Sequence, residues 1–191
     1  IGENAARILG CFLGDGYIRL RPDEGGEFAL CLFKENLVRK YSDLLEERFG
    51  KRPRHDPQRG IILYSVKAAR WLDSMGLNLK AIHKVLPDWV WKLPRNEKIA
   101  FIDGYMDADG YVEKTGGWNF EANNELLIRQ LRDLCISLGW SVSNVATRTR
   151  ESSTPNKRGV FFHANAPSAH FQVQPGFIHR HPALRGEGCP L

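Results

Sequence analysis

The 191-residue chain has four cysteines, Cys11, Cys31, Cys135 and Cys189, but no CxxC pair. This speaks against zinc ribbons and thioredoxin-like redox centres, and a disulfide-stapled scaffold is not expected. Three of the four cysteines sit inside apolar patterns, which reads as buried free thiols in a reducing compartment. No apolar run approaches the roughly 20 residues of a membrane span. The first segment lacks the basic region, apolar core and small-residue cleavage site of a secretory signal, so secretion is not expected. Charge of either sign is in little excess: Lys plus Arg number 27, Asp plus Glu 22, and the net charge is +5. With a pI near 9.1, that balance fits a polyanionic partner without requiring one. Hydrophobic residues at 42% and charged residues at 26% exclude a disordered chain, and the length suffices for one or two domains with a proper core.

What is present is an internal repeat. Residues 8–16 read ILGCFLGDG and residues 102–110 read IDGYMDADG. Each is followed by an aromatic-apolar pair (Tyr17-Ile18, Tyr111-Val112), then a short apolar run, then an amphipathic stripe that stops at a glycine, Gly50 or Gly139. Two further strand-like runs follow each stripe, 52–56 with 61–66 and 140–150 with 159–165. The first copy adds a short helix, Lys67 to Met75. The expected organisation is a first half at 1–76, a linker at 77–95, a second half at 96–166, and an irregular tail at 167–191. His170, His179 and His181 with Cys189 in that tail lack spacing diagnostic of zinc.

In the first motif Ala6, Gly10 and Gly14 recur every four residues, and in the second Ala100, Gly104 and Ala108 do the same. Small residues at this spacing strip one helix face of bulk, so two helices can approach backbone to backbone. Each helix ends in Asp-Gly, at Asp15-Gly16 and Asp109-Gly110. If the helices pair in parallel about a twofold axis, both carboxylates arrive at one end, where they repel each other and the helix termini add negative potential. A cation relieves that conflict, and carboxylate oxygens suit Mg²⁺. Metal ions held by paired acids activate water and stabilise a leaving oxygen in phosphodiester hydrolysis.

These motifs make the chain resemble the LAGLIDADG homing endonuclease family over about residues 3–165. The second motif is close to the family pattern; the first has Leu13 where the pattern has its first Asp. The resemblance implies an α+β fold of two pseudo-twofold-related αββαββ halves, with antiparallel saddle-shaped sheets and a central two-helix interface. It implies a monomeric, Mg²⁺-dependent endonuclease that makes a double-strand break at a long asymmetric site in double-stranded DNA. The expected setting is cytoplasmic or organellar, with access to DNA and no membrane. It makes Asp15 and Asp109 the essential acids, with the carbonyls of Gly14 and Ala108 near the metals. The linker Pro-Asp-Trp-Val-Trp at 87–91 is similar to those of intein-borne members, although no splicing activity is expected from Ile1 as a first residue. A cleavage-silent DNA-binding module and an RNA maturase are the alternatives on this fold; retention of both motif acids favours the enzyme.

Strand patterns agree with a nucleic-acid surface. Tyr17, Arg19 and Arg21 share one face of the first strand. Arg52 with Arg54, and Arg148 with Arg150, alternate likewise, and Lys34, Lys114, Lys157 and Arg158 add positive charge near strand ends and turns. Such side chains reach phosphates and base edges in the major groove. A basic residue beside the acids is expected from the family; Lys34 and Lys67 are the first-half choices, and Lys114 or His163 those of the second half.

Overall fold

The computed structural model describes residues 1–21, 25–114, 116–152 and 164–174, with side chains for 1–21, 25–114, 116–147 and 168–173. Lys157, Arg158, His163, His179, His181 and Cys189 lie outside the described residues. The first repeat runs α1 (Glu3–Asp15), β1 (Gly16–Arg21), β2 (Gly25–Leu30), α2 (Glu35–Phe49), β3 (Arg54–Asp56), β4 (Gly60–Tyr64) and α3 (Val66–Ser74). A 3-10 turn (Ala81–His83) and α4 (Asp88–Trp91) lead to the second repeat. That repeat comprises α5 (Arg95–Asp109), β5 (Gly110–Val112), β6 (Trp118–Ala122), α6 (Glu125–Ser137), β7 (Ser141–Val142), β8 (Ala146–Ser152) and β9 (Ala164–Gln174).

Contacts divide the chain into two units, and the division departs from the expected halves. Residues 1–80 and 84–110 form one unit, so α5 belongs with the first repeat; residues 81–83 and those from 111 onward form the other. The expected linker 77–95 is not a bare connector, because it carries the 3-10 turn and α4. In the first unit the strands lie in the order β1-β2-β4-β3, with antiparallel pairing. Ile18, Phe28 and Leu63 are in register on one face. Helices cover that face: Phe28 meets Phe49 of α2 edge-on at 6.3 Å, and Phe49 meets Trp71 of α3 at 5.6 Å. Arg19, Glu27 and Tyr64 are in register on the opposite face.

In the second unit β5, β6, β9 and β7 lie in that order and β8 also pairs with β9. β7 and β8 are one strand broken at Ser143. The Ser143 amide donates to the Gln172 carbonyl and the Gln172 amide donates to Ser143 Oγ, each at 2.9 Å. Of the strand expected at 159–165, residues 159–163 lie outside the described residues; the irregular tail expected from 167 is corrected by β9, which runs to Gln174. Ala169, Phe171 and Val173 are buried at every second position while His170 and Gln172 face away. That period marks a strand packed on one side. Phe171 stacks on its register partner Phe120 at 4.8 Å. Against the same face lie the buried Leu127, Ile128, Leu131 and Leu134 of α6.

Candidate functional site

The site begins with the seam between α1 and α5. A Cβ on Gly10 would sit 1.9 Å from the Phe101 carbonyl oxygen, and one on Gly104 would sit 2.0 Å from the Arg7 carbonyl oxygen. Gly10 and Gly104 are equivalent in the repeat, as are Arg7 and Phe101, so the contacts are reciprocal and the helix pair has a local twofold axis. Gly14 meets its own equivalent on that axis, since its Cβ would lie 2.7 Å from Ala108 Cβ and 3.5 Å from Asp109 Cβ. The parallel pairing expected from the small-residue spacing is therefore present. Both helices run straight into strands through Gly16 and Gly110, whose backbones are extended at φ −105° and −87°. Glycine is needed there for room: a Cβ would come within 2.3 Å of the Phe12 ring or of Met106 Sδ.

This geometry delivers Asp15 and Asp109 to one spot, where both remain accessible to solvent. Partial desolvation lifts each carboxyl above the ordinary carboxylate range, and the charge of Asp15 raises Asp109 further. Opposing this, the ammonium of Lys84 draws both back down. Lys84 Nζ donates to the Gly14 carbonyl at 2.7 Å, one of the oxygens left unpartnered at a helix C-terminus. Its own ionisation is lowered by burial, while Asp109 and Asp15 oppose that effect. The Cys31 thiol, pushed up to about 11 by burial and the neighbouring carboxylate, stays protonated and hydrogen-bonds to Asp15.

Lys84 thus stands beside the two acids, where a basic residue was expected from Lys34 or Lys67. Lys34 is the exposed N-cap residue of α2, and Lys67 is exposed in the first turn of α3. Sequence reasoning missed Lys84 because it lies in the segment between the repeats, where no periodicity ties it to either motif. Its one signal was a lone cation between the apolar residues of AIHKVL.

A second polar cluster lies deeper. Arg7 donates to Asp103 at 2.7 Å, while Lys40 and the Tyr41 hydroxyl donate to Asp107 at 2.6 and 2.8 Å. The Asp103 and Asp107 side chains are only 1% and 2% exposed. These acids interrupt the otherwise apolar flank of the second motif, which was the signal available for them.

On the open face of the first sheet, Arg59 donates to the Tyr17 hydroxyl at 2.8 Å and pairs with Glu27, which Arg19 also approaches at 3.5 Å. Arg21 and Arg54 are exposed on the same sheet. Arg59 was not foreseen, since it lies in the turn between β3 and β4. Arg52 departs from its expected place: it precedes β3 and pairs with Asp43 and Glu46 of α2. A residue one step outside a strand loses the alternation that would have aimed it, and α2 supplies carboxylates on the other side. In the second unit Lys114 is exposed in the turn after β5, and Arg148 and Arg150 stand in register with Ser168 and Ala166.

Comparison with known proteins agrees with this geometry. Residues 96–162 match the LAGLIDADG-like domain family profile, and the first repeat reproduces the motif helix and its acid. Over residues 96–162 the chain is similar to the LAGLIDADG-like domain family. Its fold is that of the homing endonuclease I-DmoI. Mesophilic variants of I-DmoI superpose with a TM-score of 0.57 at 17% identity, covering 90% of this chain and 89% of that one. I-DmoI in complex with DNA and Ca gives 0.57 at 16%, covering 90% and 83%. A DNA polymerase of Thermococcus kodakarensis is 28% identical over 145 residues, 74% of this chain and 8% of the polymerase. An iron–sulfur cluster assembly SufBD family protein of Mycobacterium leprae is 27% identical over 156 residues, 80% of this chain and 18% of that protein. The chain thus spans less than a fifth of the length of these curated relatives.

Among the described residues no three His, Cys, Asp or Glu side chains gather as a metal cluster. The two motif acids and the Gly14 carbonyl bring only oxygen atoms to the end of the helix pair, beside the Lys84 ammonium. Such a set suits a hard divalent cation that keeps waters and shares phosphate oxygens.

Proposed function

We propose that the chain is a sequence-specific homing endonuclease that makes a Mg²⁺-dependent double-strand break at a long asymmetric DNA site. The observation that carries this reading is the delivery of Asp15 and Asp109, beside Lys84, to the common end of two reciprocally packed helices. In support, solved I-DmoI structures of the same fold hold its target DNA in the presence of Mg or Mn. Asp15 and Asp109, with the carbonyls of Gly14 and Ala108, would hold the metal. When bound, Mg²⁺ supplies charge for activating water and stabilising the leaving oxygen. Lys84 holds a proton against the Gly14 carbonyl and lies close enough to both acids to stabilise negative charge that develops on a scissile phosphate. Cys31 keeps Asp15 oriented through its hydrogen bond. Arg19, Arg21, Arg54 and Arg59 place phosphate- and base-binding groups along the first sheet.

The direct test is to expose the chain to a randomised duplex library with Mg²⁺ and sequence the ends produced. Recovery of one long, asymmetric cleaved site is expected. Failure to cut any duplex, or cutting that persists in a chelator, rejects the reading. Two further outcomes are expected. Lys84→Met should slow single-turnover cleavage about 100-fold, the scale of losing one donor aimed at developing charge; a change under threefold would remove Lys84 from the chemistry. Affinity for the selected duplex should fall about 10³-fold or more between 50 and 200 mM salt, as counterion release by 6–10 phosphate contacts requires. A flat salt titration would contradict the arginine-bearing sheet as the binding face.

A further inference from the structure

Resting on the reading of Asp109 as a metal ligand, we infer that Asp107 is a positioning residue: a clamp to α2 that fixes the last turn of α5 and so aims Asp109. The cluster around Asp107 takes no part in the chemistry above. One oxygen, Asp107 Oδ2, receives Lys40 Nζ at 2.6 Å and the Tyr41 hydroxyl at 2.8 Å, and Arg7 approaches it at 3.6 Å. The donors come from two different helices, α2 and α1, and converge on the final turn of a third. Tyr41 is fully buried, so its hydroxyl has little freedom.

A carboxylate in this place is costly. It is desolvated, and it lies in the last turn of a helix, where the backbone carbonyls already present negative charge. Packing does not demand it: Leu13 fills the equivalent place in α1 and is 1% exposed. What the carboxylate adds is direction. Successive helical residues turn by about 100°, so positions 107 and 109 point about 200° apart around the axis. Tying Asp107 to α2 on one side therefore presents Asp109 on the other, toward Gly14 and Lys84. In α1 apolar packing and the Cys31 hydrogen bond hold Asp15 instead, so the two motif acids are held by unlike means.

The inference is tested on the full chain with Mn²⁺ as probe, titrated into metal-free protein and followed by the free-ion EPR signal, with no DNA present. Asp107→Leu, which copies the first motif, should weaken Mn²⁺ binding at least tenfold while the far-ultraviolet circular dichroism stays native. Asp107→Asn keeps an acceptor for Lys40 and Tyr41 and should recover part of that loss. Tyr41→Phe removes the hydrogen bond to Asp107, and with it the one shared with the Cys11 thiol, without changing shape; it should weaken binding about threefold, which keeps the test open if the leucine variant does not fold. In cleavage assays on the selected duplex, Asp107→Leu should accumulate a nicked intermediate, because one acid is misaimed and the other is not. Wild-type Mn²⁺ binding in both Asp107→Leu and Tyr41→Phe overturns the inference. If wild-type protein binds no Mn²⁺ and cuts no duplex, the endonuclease reading fails instead.

Discussion

Asp15→Asn and Asp109→Asn are each expected to abolish double-strand cleavage, with a loss above about 10³-fold, while affinity for the target duplex stays within about tenfold. Each substitution keeps shape and hydrogen bonding but removes a charge that the divalent cation needs. Because both side chains are accessible and neither supports the core, folding should survive. The metal-free protein carries a further signature. Both carboxyls are held above the ordinary carboxylate range, Asp109 by partial desolvation and then by the charge of Asp15. A raised folded-state value means that the folded protein retains protons the unfolded chain has lost. Their contribution is thus full below the unfolded value near 3.8 and is lost as pH rises through the raised folded value. Metal-free wild type should therefore melt progressively lower as pH climbs out of the acidic range, Asp109→Asn should flatten that slope, and saturating Mg²⁺ should restore stability at neutral pH. Thermal melts across pH with and without Mg²⁺ read all three. Unimpaired cleavage by either variant would exclude that acid from the metal site, and loss of duplex binding would mean that it supports folding or docking.

Gly104→Leu is expected to separate the two motif helices, and even Gly104→Ala should be severe. A Cβ there would lie 2.0 Å from the Arg7 carbonyl oxygen and 2.9 Å from the Cys11 amide nitrogen, and both are backbone atoms. Overpacking costs about 1–3 kcal/mol when side chains can shift; here only the helix itself can move. The alanine variant should lose about 3 kcal/mol or more, seen as a melting temperature lower by about 6–12 °C. Gly14→Ala meets a side chain instead, Ala108 Cβ at 2.7 Å. It should cost less stability but move the two acids apart, so cleavage should suffer more than melting. Unchanged melting in Gly104→Ala would contradict the close approach.

The motif helices, their pairing and the end at which the acids meet were legible because the sequence states them twice. One small-residue row could be any packing seam; two in register, each ending in Asp-Gly, restrict the reading to a paired interface. Lys84 was not legible, because its approach to Gly14 depends on the path of the chain between the repeats rather than on a local period. Arg59 was hidden for a similar reason, since a turn residue has no face until the turn is built. The course of β9 was obscured by Pro167, which reads as a breaker; the alternation Ala169, Phe171, Val173 beyond it is the stronger signal. Asp103 and Asp107 were visible as acids on an apolar helix, but their partners Arg7, Lys40 and Tyr41 come from elements that only tertiary packing brings together.

The meeting of Gly14 with Ala108 on the local axis has a consequence for anyone recombining this scaffold. Each position is the other's counterpart, so neither repeat can accept a bulkier residue there without a matching concession from its twin. Chimaeras that exchange one repeat for that of a relative should therefore be sorted by the combined volume at this single pair before any attention is given to the target sequence.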